Sequence, residues 1–171
     1  MRKQGSEGDG TDGKRGETSG ETSLRLVRLY SDGACRGNPG VGGFAAIVNC
    51  DEHEKEVHGA EARTTNNRME LRAAIAGLTL LKERCHVKAV TDSQYVMKGM
   101  TEWLAGWIAN GWRTGARKSV LNRDLWEELN RLCHFHKVEW EWTRGHAGHS
   151  LNERCDELAN AAIDEFLGNE R

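Results

Sequence analysis

Four acidic residues of this chain each open or close a separate hydrophobic segment. LVRLYS runs into Asp32, Glu70 lies in NNRMEL, VKAVT runs into Asp92, and Asp156 lies in NERCDELA. A fold that gathered them would form a cage of carboxylates. Such cages suit hard divalent cations such as Mg²⁺ or Mn²⁺, which keep open positions for water and substrate phosphate. The chemistry suggested is metal-dependent phosphodiester hydrolysis. Singly, each acid also has an ordinary structural use: Asp32-Gly33 suits a turn, Asp92-Ser93 a helix cap, and acids favour the first turn of a helix.

The elements that must position these groups follow from hydrophobic periodicity. Leu24 to Tyr30 alternates aliphatic and polar residues, Gly43 to Val48 is small and apolar, and Glu54 to His58 is a short polar run. These read as two strands and an edge strand, together an antiparallel meander. From Asn66 the period changes to 3.6, with Leu71, Ala74 or Ile75, Leu78 and Leu81 on one helix face. Val87 to Thr91 then reads as a buried strand, Ser93 to Met100 as a short helix, Leu121 to Cys133 as a helix, Val138 to Trp142 as a strand and Leu151 to Phe166 as a last helix. This order implies an α/β fold: a five-stranded mixed sheet, meander plus parallel strands, with helices on both faces. Asp32 and Asp92 would each directly follow a strand, and ligands of open α/β sheets bind beyond such strand ends. Glu70 and Asp156 would reach in from the first turns of two helices.

Composition limits the alternatives. The 171 residues, 37% hydrophobic and 29% charged, suit one soluble domain. A net charge of -2 argues against coating nucleic acid through bulk charge, so any such binding must be local. The five cysteines are scattered without metal-ligand spacing, which fits a reducing cytoplasmic setting, and no apolar run is long enough for a membrane span. Residues 1–23 mix Gly, Ser, Thr and charge with no aliphatic residue after Met1, and are expected to be a disordered tail. The domain is expected over residues 24–167, followed by a short end at 168–171.

The segments SDGACRGNPG (Ser31 to Gly40), TTNNRMEL (Thr64 to Leu71), TDSQYV (Thr91 to Val96) and GHAGHSLNERCDELA (Gly145 to Ala159) closely resemble ribonuclease H type 1, the bacterial type especially. The likeness runs from Leu26 to Ile163. It implies that Asp32, Glu70, Asp92 and Asp156 are metal ligands, that two Mg²⁺ ions (with Mn²⁺ as a substitute) flank the scissile phosphate, and that the RNA strand of an RNA/DNA hybrid is cut to 5′-phosphate and 3′-hydroxyl ends. His146 would assist proton movement or product departure, since imidazole titrates near neutral pH. His149 is read as loop structure. The family usually has proline after the second histidine of GHAGH; Ser150 stands here, which should loosen the His146 loop.

Between Lys98 and Arg123 the chain carries Lys98, Arg113, Arg117, Lys118 and Arg123 against one acid, Glu102, interleaved with Trp103, Trp107 and Trp112. A basic, aromatic segment in a slightly acidic protein is a local phosphate footprint. It resembles the basic protrusion of bacterial type 1 enzymes, where Trp107 would lie against deoxyribose; Trp103 suits substrate contact and helix packing equally. Ile108-Ala109-Asn110 stand where relatives are often more basic, which implies a weaker handle. By the same resemblance Cys35, Asn38, Asn66, Asn67 and Gln94 line the minor groove, where the 2′-hydroxyl distinguishes RNA. Arg63, Thr65 and Asn122 match a pocket for a DNA-strand phosphate. Asn38 and Asn66 also suit turn and cap chemistry. A monomer is expected. Two further readings stay open: a non-catalytic hybrid-binding module, and the nuclease domain of a reverse transcriptase or integrase-like strand transferase.

Overall fold

The computed structural model describes residues 23–144 and 150–170. The expected tail up to Thr22, and the GHAGH loop with His146 and His149, lie outside those residues. Strands β1 (Leu26–Arg36), β2 (Gly40–Cys50) and β3 (His53–Thr64) form the antiparallel meander. Strand β4 (His86–Thr91) then runs parallel to β1, and β5 (Lys137–Trp142) parallel to β4, giving the order β3-β2-β1-β4-β5. The mixed five-stranded sheet and the edge position of β3 are as the sequence predicts. Edge strand β3 is fastened by Arg154, whose guanidinium bonds Glu54 (2.6 Å) and Glu56.

Helices cover both faces. Alternation along β1 sends Val27 and Leu29 to one face, where they join Leu71, Ala74 and Leu78 of α1 (Asn66–Thr79) and Leu125, Trp126 and Leu129 of α4 (Arg123–Phe135). On the other face Ala45 and Ile47 of β2 pack with Cys155 and Ala159 of α5 (Ser150–Asn169), with Tyr30 and Ala34 of β1 beside them. Asp32 shares the alternation of Tyr30 and Ala34, and therefore the α5 side. Gly33 takes the α1 side, where a Cβ would stand 2.5 Å from the backbone N of Glu70. Only glycine lets α1 lie this close to β1, and that approach carries the Glu70 carboxyl to Asp32. Gly33→Ala is therefore expected to destabilise the fold by about 1–3 kcal/mol, through overpacking against backbone that has no room to yield. Thermal denaturation would read it.

Two expectations need correction. Asp32 does not follow its strand: β1 runs on to Arg36, and Asp32 pairs with Ala45 of β2. The turn suggested by Asp32-Gly33 is absent because the long antiparallel partner β2 carries the ladder through it. The β1–β4 ladder does stop at Tyr30↔Val90, so Asp32 and Asp92 each lie two residues past its last pair. The predicted helix from Ser93 to Met100 is also only part of a longer structure. Helix α2 (Gln94–Lys98) leads into one wide helical turn (Gly99–Trp103) and then α3 (Leu104–Ala109). The wide turn begins where the indole of buried Trp126 lies against Gly99, leaving no space for a Cβ.

Candidate active site and nucleic-acid interface

Asp32, Glu70 and Asp92 each offer a carboxylate oxygen, and these oxygens lie within 4.8 Å of one another. Neighbouring parallel strands set the first pair, and α1 delivers Glu70 across Gly33. Ser93 ends the Asp92 turn by capping α2, its Oγ accepting from the Val96 N–H at 3.2 Å. Asp156 stands apart from the trio. Its carboxylate accepts from Asn160 Nδ2 (3.2 Å), yet its charge is close enough to raise the Asp32 pKa.

The electrostatics of the trio are unfavourable without a cation. Burial, and then the charge of Asp92, raises the Asp32 carboxyl to about 7, although the Gly33 N–H donates to it at 2.8 Å. Burial also pushes Glu70 well above the carboxylate range, with the charges of Asp32 and Asp92 adding to it. Glu70 Oε2 is buried and has no hydrogen-bond partner among the described residues. An orphaned buried oxygen among like charges fits a divalent cation, which would supply the missing partner and offset the repulsion.

The predicted substrate contacts divide into three groups. At the start of α1 the loop residue Asn38 accepts from the Asn66 N–H at 3.2 Å. The helix cap is Thr65, whose Oγ1 accepts from Arg68 N at 3.3 Å, while Asn66 is the first helical residue. Asn38 and Asn66 thus meet at the turn, as turn chemistry suggests, but the cap is Thr65 and not Asn66; Asn38 and Asn67 remain exposed. The thiol of Cys35 is held by the Gly37 carbonyl at 2.9 Å, and Gln94 is exposed at the first turn of α2.

A second group lines a cleft of about 400 Å³ that includes Asn67, Tyr95, Trp107, Lys118 and Asn122. Trp107 is half-buried, tilted against exposed Trp103 (5.7 Å) and edge-on to core Trp126 (5.4 Å). Trp103 and Trp107 therefore share one aromatic row without sharing burial. Arg113 donates to the Arg117 carbonyl at 3.1 Å within a tight loop, leaving exposed Arg117 and Lys118 at its outer side. The third group is Arg63, Thr65 and Asn122, of which Thr65 caps α1 and Asn122 is bonded to Arg68 of that helix. Arg63 is exposed at the end of β3.

Two residues of this interface escaped the sequence reading. Arg68 donates to Asn122 Oδ1 at 3.2 Å and pairs with Asp124 through both terminal nitrogens (3.0 and 2.8 Å). Tyr95 accepts at its hydroxyl from Asn122 Nδ2 (3.0 Å) and Trp126 Nε1 (3.1 Å). A cation in the first turn of a helix opposes the helix dipole, which was the available signal that Arg68 has a dedicated acid. Tyr95 gave no comparable signal.

Residues 25–164 match the family model described as RNase H. The chain belongs to the RNase H family. It is 58% identical to Ribonuclease H of Pelobacter propionicus over 142 residues, covering 83% of this chain and 87% of that protein. Ribonuclease H of Halorhodospira halophila is 56% identical over 142 residues, covering 83% of this chain and 95% of the relative. Among solved structures, LC9-RNase H1, a type 1 RNase H with the type 2 active-site motif, superposes with a TM-score of 0.75 at 35% identity, covering 83% of this chain and 74% of that one. The chain is accordingly a hydrolase of the ribonuclease H kind. Among the described residues no helix is long and apolar enough to cross a membrane.

Proposed function

We propose that this chain cuts the RNA strand of RNA/DNA hybrids by hydrolysis, leaving 5′-phosphate and 3′-hydroxyl ends. The observation that carries this is the trio Asp32, Glu70 and Asp92, crowded within 4.8 Å with a buried Glu70 oxygen that has no hydrogen-bond partner among the described residues. With Asp156 these residues would hold two divalent ions, Mg²⁺ in the first instance with Mn²⁺ as a substitute. Bound there, the ions supply water activation and charge neutralisation at the leaving 3′ oxygen. The protein's own part is positional. Parallel strands fix Asp32 and Asp92, α1 presents Glu70, α5 presents Asp156, and His146 serves proton movement or product departure.

Hybrid binding is assigned to two surfaces. Asn38, Asn66, Asn67, Cys35 and Gln94 border the catalytic end and face the minor groove, where small polar groups can pair with 2′-hydroxyls. The cleft of Trp107, Lys118 and Asn122, with Trp103, Arg113 and Arg117 nearby, takes the DNA strand. Residues 24–167 form the single catalytic domain, with its basic protrusion at about 98–123. Cleavage of labelled RNA/DNA hybrid, duplex RNA and duplex DNA with Mg²⁺ tests the reading. Cutting confined to the RNA of the hybrid is the expected result, and equal cutting of duplex DNA would overturn it.

A further inference from the structure

Strand β5 carries a second aromatic site, whose cleft shares Gln94 with the minor-groove contacts and Lys98 with the start of the basic protrusion. Trp140 and Trp142 lie two residues apart and so share a face of the sheet. Trp140 packs against the core of α1 and α4, whereas Trp142 projects beyond that core and is 43% exposed. Its backbone is nevertheless fixed, because Trp142 pairs in register with Thr91 and the next N–H, of Thr143, donates to the Thr91 carbonyl at 2.9 Å. The indole is therefore presented beside the strand end that carries Asp92. It walls a cleft of about 330 Å³ with Gln94, Met97, Lys98, Thr101 and Glu102.

These groups together match one nucleotide. The indole offers a stacking face, Lys98 a charge for phosphate, and Gln94, Thr101 and Glu102 donors and acceptors for a base edge or a sugar hydroxyl. Stacking on a side chain requires a base with an uncovered face, and a base inside a duplex has neighbours on both sides. An unpaired nucleotide has such a face. The cleft borders the β4 end that leads to Asp92, so the strand assigned to it is the one to be cut, while the Trp107–Lys118 cleft lies at Tyr95 of the same helix α2. We propose that Trp142, with Lys98 and Gln94, holds one unpaired nucleotide of the RNA strand where a hybrid gives way to single-stranded RNA. This rests on the hybrid-cleaving function above. It would direct the enzyme toward hybrids that carry an RNA flap.

The test compares three hybrids with one common paired core: blunt, extended by single-stranded RNA, and extended by single-stranded DNA. The wild-type chain is expected to show a lower KM for the RNA-extended hybrid than for the blunt one. Trp142→Ala should raise that KM about tenfold, the scale of losing one base–aromatic stack, with kcat little changed. Trp142→Phe, which keeps a ring, should retain most of the preference. The inference is overturned if the wild type does not favour the RNA extension, if Trp142→Ala shifts all three hybrids equally, or if it acts only on the DNA extension. A wild-type chain that cuts none of the hybrids overturns the functional reading first and this inference with it, so the two failures are told apart by the blunt substrate.

Discussion

Asp32→Asn is expected to lower hybrid cleavage by about a thousandfold or more while leaving hybrid binding largely intact. The substitution keeps the size of the side chain and its acceptor for the Gly33 N–H, so the β1 backbone has no cause to move. It removes one negative charge from the centre of the trio. Metal-assisted charge stabilisation in such sites is worth several kcal/mol, and each 1.4 kcal/mol of lost transition-state stabilisation is about tenfold in rate. Single-turnover cleavage with excess enzyme, beside a binding titration in Ca²⁺, separates the two effects. Near-normal cleavage by the variant would remove Asp32 from the metal site.

Without divalent cations, the wild-type protein is expected to lose stability relative to Asp32→Asn as pH rises from about 4 to 7. Asp32 titrates near 3.8 when unfolded and about 7 when folded, so between those values the folded state binds the extra proton. Stability from this group is complete below about pH 4 and drains away as pH climbs through 7, at about 1.4 kcal/mol per pH unit for a full proton. Glu70 is shifted in the same direction. The buried imidazole of His136 is lowered by burial and works the other way, favouring the folded state as pH rises, which is why the variant is the proper reference. At pH 4 the two proteins should melt together; at pH 8 the variant should melt roughly 10–15 °C higher. Adding Mg²⁺ at pH 8 should raise the wild-type melting temperature and close much of that gap. A wild-type protein that melts with the variant at pH 8 would mean that the trio is not electrostatically crowded.

The chain disclosed its architecture through periodicity, and it disclosed the trio through motif rather than spacing. The long apolar face of α1 and the alternation of β1 are local signals, so both elements were legible. The true end of β1 was not, because Asp32-Gly33 is a turn pair by local preference and only pairing with distant β2 overrides it. Helix α3 was hidden for a similar reason: the expected helix ended at Met100, and the wide turn that carries it onward begins where Trp126, distant in sequence, lies against Gly99. The four acids could be named from their neighbours, but their unequal geometry, three together and Asp156 bonded to Asn160, depends on how α5 docks. Asn122 shows the same limit. Its value as a polar residue was visible, whereas its left-handed backbone and its bonds to Arg68 and Tyr95 join three helices that no local pattern connects.

The matched positions of Asp32 and Asp92, each two residues past the last pair of the β1–β4 ladder, make the sheet a ruler for the site. Adjacent strands are separated by roughly 4.8 Å because that is the reach of a backbone hydrogen bond, whatever the side chains around them. The interval between the two aspartates starts from that spacing at Tyr30 and Val90, two residues before them. Repacking α4 or altering the handle can change how tightly a hybrid is held, but it leaves this interval alone. Metal affinity should therefore survive changes confined to α4 or the handle, and fall when the β1–β4 pairing or the approach of α1 at Gly33 is disturbed.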